Sequence, residues 1–122
     1  MSVSRISKDS ILKMIKGEVS VNDETLCVVK FYSNNCHLCH ALSSYYIDIS
    51  DLYDDVLFFA YNVDDDEEIS EKLNLNGVPS VATFKISRGN RAKIRNLKDP
   101  DKPNEKTWFT SKQIKNFIDK EK

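Results

Sequence analysis

The chain lacks the cysteines of a disulfide-built scaffold: it has three in 122 residues, an odd number. It also lacks charge of one sign. With 18 basic and 19 acidic side chains the net charge is −1, so neither nucleic acid nor an anionic membrane surface is expected as its main partner. No apolar run approaches the length that spans a bilayer. The stretch from Met1 to Gly17 mixes Lys, Arg and Asp with apolar residues. It shows neither an apolar leader core nor a small-residue cleavage site, and so does not read as a secretory signal. From these absences we expect a soluble monomer in a reducing, cytoplasmic compartment. The length fits one domain over residues 1–122 with a core of its own.

What is present centres on Asn35-Cys36-His37-Leu38-Cys39-His40, directly after the apolar run Val28-Val29-Lys30-Phe31-Tyr32. Two cysteines two residues apart suit a dithiol that opens and closes as a disulfide. The same letters permit two other chemistries: C-x-x-C-H attaches c-type haem, and two Cys with two His can ligate zinc. In a reducing compartment a vicinal dithiol is catalytic or metal-binding more often than structural.

Around the motif the chain alternates between helical and extended patterns. Ser7 to Lys16 carries Ile11, Leu12 and Ile15 on one helical face, with Gly17 placed to end the helix. Cys27 to Tyr32 and Leu57 to Val63 read as buried strands, their apolar runs typical of parallel strands covered on both faces. Leu38, Leu42, Tyr45, Ile49 and Leu52 recur at spacings of three and four, which predicts an amphipathic helix from the cysteines onward. The acidic run Asp64 to Glu68 suits the start of a short helix through Leu73. Ser80 to Ile86 and Arg91 to Leu97 form a hairpin about Ser87-Arg88-Gly89-Asn90. A polar loop, Lys98 to Lys106, leads to a last helix. Thr110 and Gln113 supply its capping box, Phe109 can staple onto Ile114, and Ile114, Phe117 and Ile118 form its buried face. An extra strand is possible near Val3 to Arg5. This order predicts an α/β domain with a mixed central sheet of four or five strands flanked by helices.

With the motif on that scaffold the chain resembles the thioredoxin superfamily, over roughly Leu26 to Asp119. Three pieces carry the resemblance: Val29 to Cys39, Asn62-Val63-Asp64 closing the next strand, and Gly77-Val78-Pro79-Ser80 opening the hairpin. The resemblance implies a thioredoxin fold, a cis-proline at Pro79 facing the cysteine pair, and thiol–disulfide oxidoreductase activity on protein disulfides without a bound cofactor or metal. The electrons would come from a reductase or a small-thiol reductant. It further implies that Cys36 is the attacking thiol and Cys39 the resolving one. Helix-start amides and the dipole would lower the Cys36 pKa, and Cys39, one turn deeper, would attack the mixed disulfide.

Val78 would offer backbone hydrogen bonds to an extended client, with Asn35, Pro79 and Trp108 beside it. Where thioredoxins usually have Trp before the first Cys and Gly-Pro between the pair, this chain has Asn35 and His37-Leu38. The family's buried carboxylate beneath the second Cys is replaced by Lys30, and its glycine before the last helix by Thr107 or Trp108. His37, Leu38 and Lys30 are therefore expected to tune the pair. Such a lysine either affects proton transfer at Cys39 or snorkels to solvent. His37 either supports the Cys36 thiolate or is an exposed bystander, and His40 is a partly exposed helix residue. Cys27 is a redox-silent core residue. Two other roles stay in view: a disulfide isomerase or oxidase-like enzyme, and a thioredoxin-fold binding module with incidental redox activity.

Overall fold

The computed structural model describes residues 3–122. Five strands, β1 (Ser4–Arg5), β2 (Thr25–Tyr32), β3 (Val56–Asn62), β4 (Ser80–Ser87) and β5 (Asn90–Asn96), alternate with four helices. The helices are α1 (Lys8–Lys16), α2 (His37–Ser50), α3 (Glu68–Lys72) and α4 (Ser111–Glu121), with a 3-10 turn at Val63–Asp65. The sheet order is β1-β3-β2-β4-β5. β2 and β1 run parallel to β3, while β4 runs antiparallel to β2 and β5 to β4. The expected mixed sheet is thus present, including the short first strand.

β2 is central, and its alternating side chains define the two layers. Cys27, Val29 and Phe31 face Ile11, Met14 and Ile15 of α1 and Ile69 of α3. Leu26 and Val28 face Leu42, Tyr46 and Ile49 of α2 and Ile114 and Ile118 of α4. Period-two alternation puts Lys30 on the second face, beneath α2.

The helix boundaries follow local chemistry. Ser7 caps α1 by accepting the Ser10 amide at 3.2 Å, and Gly17 ends it in the left-handed conformation at φ 85°. Gly17 is doubly required, because a Cβ there would collide with the Asn90 backbone. The α4 capping box forms as expected: Thr110 Oγ1 accepts from Gln113 N at 3.2 Å, and Gln113 Oε1 accepts from Thr110 N at 2.8 Å. Phe109 and Ile114 are both buried in one cluster.

Three apolar assignments need correction. The buried stripe of α2 is Cys39, Leu42, Tyr46 and Ile49, whereas Tyr45 and Leu52 are 45% and 64% exposed. Both stripes share Leu42 and Ile49, so spacing alone does not separate them. The Tyr46 hydroxyl decides the matter: it lies 3.0 Å from Val28 O and 2.8 Å from Phe59 O, bridging β2 and β3. Met14 replaces Leu12 on the fully buried face of α1. Leu57 is 46% exposed, so β3 is not covered on both faces along its whole length.

Candidate redox site

Cys36 and Cys39 are joined as a disulfide at the start of α2. Cys36 is the helix N-cap: its backbone is extended, and its sulfur accepts the Cys39 amide at 3.0 Å. The sulfur therefore sits where a capping oxygen would, at the positive end of the helix. Cys36 is half-buried and Cys39 buried, so a partner molecule meets Cys36 first. Cys27 is a free thiol on the other face of the sheet, fully buried, and burial pushes its pKa up to about 12. It is inert as a nucleophile.

The loop ahead of Cys36 is fixed through Asn34. The Asn34 amide donates to Asp64 Oδ2 at 2.8 Å, and Asn62 Nδ2 donates to Asn34 Oδ1 at 2.9 Å. The His40 ring Nε2 donates to Asn34 O at 2.9 Å. The Asn62-Val63-Asp64 piece thus positions the loop that carries the cysteines. His37 is exposed, and no side-chain hydrogen bond joins it to the other described residues. Leu38 is half-buried and Asn35 exposed. His40 is engaged by Asn34, and the described residues hold no group of three or more His, Cys, Asp or Glu able to bind a metal ion.

Lys30 does not snorkel to solvent. It is 5% exposed, because β2 is central and Leu26 through Phe31 are all buried. Its ammonium donates to Ser43 Oγ at 2.8 Å, and Ser43 Oγ donates to the Cys39 carbonyl at 3.1 Å. The rings of Tyr32 and Tyr46 lie 5.5 and 5.4 Å from Nζ. Burial pushes the Lys30 pKa down from 10.5 to about 8. Lys30, Cys39 and Ser43 line one cavity of about 330 Å³ with Arg5, His40 and Tyr46. Sequence reading gave no role to Ser43, Asn34 or Asn62; only the i, i+4 spacing from Cys39 to Ser43 hinted at a contact.

The Val78–Pro79 peptide bond is cis. Pro79 is buried and Val78 half-buried. They precede Ser80, which pairs with Phe31 near the end of β2. The register therefore puts them at the same end of the sheet as the cysteine loop. Trp108 takes a positive φ of 67°, so a bulky residue here adopts the backbone that glycine favours. Asn104 and Trp108 exchange backbone hydrogen bonds at 2.9 and 3.0 Å, and the indole N–H donates to Asp99 at 3.1 Å. The ring is half-buried and packs against the core layer beneath α2 and α4.

A mixed sheet of this order, with a disulfide-forming C-x-x-C at the mouth of a helix, is the thioredoxin architecture. The chain belongs to the thioredoxin family, whose model matches residues 12–107. It is 26% identical over 65 residues to thioredoxin 1 of Plasmodium falciparum (isolate 3D7), a match spanning 53% of this chain and 62% of that relative's length. Among solved structures it is similar to chloroplastic thioredoxin z, at TM-score 0.67 and 18% identity, covering 98% of this chain and 94% of that one. The Malassezia sympodialis thioredoxin gives TM-score 0.66 and 19% identity, with 98% and 90% covered. These structural likenesses establish the fold.

Proposed function

We propose that this protein exchanges electrons with protein disulfides through the Cys36–Cys39 couple. One observation carries the reading: Cys36 caps α2 with its sulfur on a helix-start amide, one turn above a buried second cysteine. In the reduced protein the Cys36 thiolate attacks a client disulfide, and one client sulfur leaves. Cys39 then attacks Cys36, the second client sulfur leaves, and the intramolecular disulfide forms. A reductase or small thiol returns two electrons to the pair.

Asn35, Val78 and Pro79 form the client surface, with Trp108 at its margin. His37 and Leu38 set the surroundings of the attacking sulfur. The scarcity of cysteine, with Cys27 sealed in the core, supports a reducing cytoplasmic setting, and the near-neutral charge fits a soluble monomer. Cell fractionation and size-exclusion chromatography check these two points; recovery in an oxidising compartment or as a stable dimer would overturn them.

The decisive test is reduction of insulin by dithiothreitol, followed as turbidity. Wild type should accelerate it, Cys36→Ser should not, and Cys39→Ser should accumulate a mixed disulfide through Cys36. Acceleration that survives Cys36→Ser refutes the reading. A wild type without turnover leaves the binding module. The cation beneath the pair favours a second reading, the isomerase or oxidase role, because positive charge stabilises thiolate and makes a couple more oxidising. Equilibration with glutathione separates the two: a potential at or below that of cytosolic thioredoxins excludes the oxidising role.

A further inference from the structure

We propose that the cavity beneath the cysteine pair binds a small monovalent anion, a halide or a simple carboxylate, on the Lys30 ammonium, and binds it more tightly in the oxidised protein than in the reduced one. The cavity, of about 330 Å³, has Lys30, Cys39 and Ser43 in its wall and Arg5 on the β1 side. That is room for such an ion and several waters. The binding stands apart from the redox reading above, and only its linkage to the cysteine pair rests on that reading.

The Lys30 ammonium is buried and short of acceptors. It has three hydrogens to give and gives one, to Ser43 Oγ at 2.8 Å. Its other neighbours are the rings of Tyr32 and Tyr46, which attract a cation without accepting as an oxygen does. Across the sheet Lys30 meets Ala60 on β3 and Val81 on β4, neither ionisable. The ionisable groups around it are Arg5, Tyr32, His40 and Tyr46, with Cys39 held in the disulfide. Asp65 holds the Arg5 guanidinium at 2.8 Å, and His40 Nε2 is engaged by Asn34 O. Among the described residues no carboxylate lines the cavity. Burial lowers the Lys30 pKa only to about 8, so at pH 7 the amine still carries its charge. A buried charge is costly unless it is paired, and the cavity is where an anion can complete the pair. One ammonium balances one negative charge, and the cost of desolvating an ion grows steeply with its charge, so a monovalent anion is favoured over a divalent one.

The same anion opposes reduction of the pair. The disulfide is neutral, whereas a reduced pair carries thiolate character at Cys36, on the start of α2. When a dithiol reductant supplies two electrons and the pair takes up one proton, the S–S bond breaks to give a thiol and a thiolate, and the reductant closes to its own disulfide. Cys39 lines the cavity, so an anion on Lys30 repels that new charge and weakens the attraction of the ammonium for it. Linkage is reciprocal: the factor by which reduction weakens anion binding is the factor by which the anion favours the disulfide.

The test is titration of the oxidised protein in a zwitterionic buffer with sodium formate and, separately, sodium chloride, followed through backbone amide NMR shifts. Lys30→Met is titrated in parallel to remove general salt effects. In wild type the Lys30 and Ser43 amides should shift and saturate in the millimolar range. Saturation by formate alone assigns a carboxylate site, by chloride alone a halide site, and by both a site for either. In Lys30→Met the affinity should fall about tenfold or more, since the ion then enters a buried site without its counter-charge. Wild-type affinity should fall as pH rises through about 8 and the amine loses its proton. In the reduced protein half-saturation should need severalfold more anion. Saturating anion should move the equilibrium with dithiothreitol, which has no carboxylate, toward the protein disulfide by the same factor. Shifts that never saturate, or that persist in Lys30→Met, overturn the site, and affinity already lost at pH 7 would place the ion on His40 and overturn it too. Equal affinities in the two redox states refute the linkage. Absence of insulin turnover with the anion site intact would refute the oxidoreductase reading alone.

Discussion

Replacing Lys30 by Met should stabilise the folded protein, although it removes a hydrogen bond. Burial lowers the amine from 10.5 to about 8. At 1.36 kcal/mol per pKa unit, carrying the charge into the fold costs about 3 kcal/mol at pH 7. Loss of the Ser43 bond returns about 1 kcal/mol, so a net gain of about 2 kcal/mol is expected from Lys30→Met. The sign with pH follows from linkage. The folded pKa lies below the unfolded one, so the unfolded chain binds more protons between about pH 8 and pH 10.5. Wild-type stability therefore rises across that window relative to the variant, and most of the gap closes by pH 10. Urea unfolding of the oxidised proteins, followed by far-UV circular dichroism at pH 7 and pH 10, measures both quantities, and the titration of the free Cys27 thiol on unfolding is common to both proteins and cancels in the difference. A variant less stable than wild type at pH 7, or a gap indifferent to pH, refutes the reasoning.

Two buried tyrosines should behave oppositely. Tyr46→Phe strips the β2–β3 carbonyls of their shared donor and should cost about 1–3 kcal/mol. Tyr61→Phe removes a buried hydroxyl with no partner among the described residues and should be neutral or stabilising in the same urea assay. Gly17→Ala should destabilise by more than about 1 kcal/mol, because φ is 85° and the added carbon meets the Asn90 backbone; a thermal melt indistinguishable from wild type would contradict the close approach. Peptide mapping of the oxidised chain should link Cys36 to Cys39 and leave Cys27 alkylatable only after unfolding, and any bridge to Cys27 would contradict the layer assignment.

The parts legible in the sequence are those written in local chemistry. Gly17, the Thr110–Gln113 box and the Ser87–Asn90 turn each mark an element's end with residues that lie within a few positions of one another. The cysteine pair was legible because its spacing is itself the motif. The stripe on α2 is ambiguous in the sequence because Leu38–Leu42–Tyr45–Ile49–Leu52 and Cys39–Leu42–Tyr46–Ile49 fit a helical period equally well, and only the carbonyls of Val28 and Phe59, supplied by two strands, choose between the tyrosines. The resemblance puts Lys30 beneath the pair, but its confinement depends on β2 being flanked by both β3 and β4, a property of topology. Ser43 and Asn34 act through contacts 13 and 28 residues away along the chain, beyond the reach of any periodicity.

Because Cys36 is the N-cap of α2, folding and redox state form one thermodynamic cycle. Whatever the helix start contributes to a thiolate over a disulfide in the folded chain must reappear as a difference in denaturation free energy between the reduced and oxidised proteins. A denaturant titration in the two redox states is therefore also an electrochemical measurement. The converse constrains engineering: changes to the first turn of α2, made only to strengthen the helix, will move the potential of the couple as well.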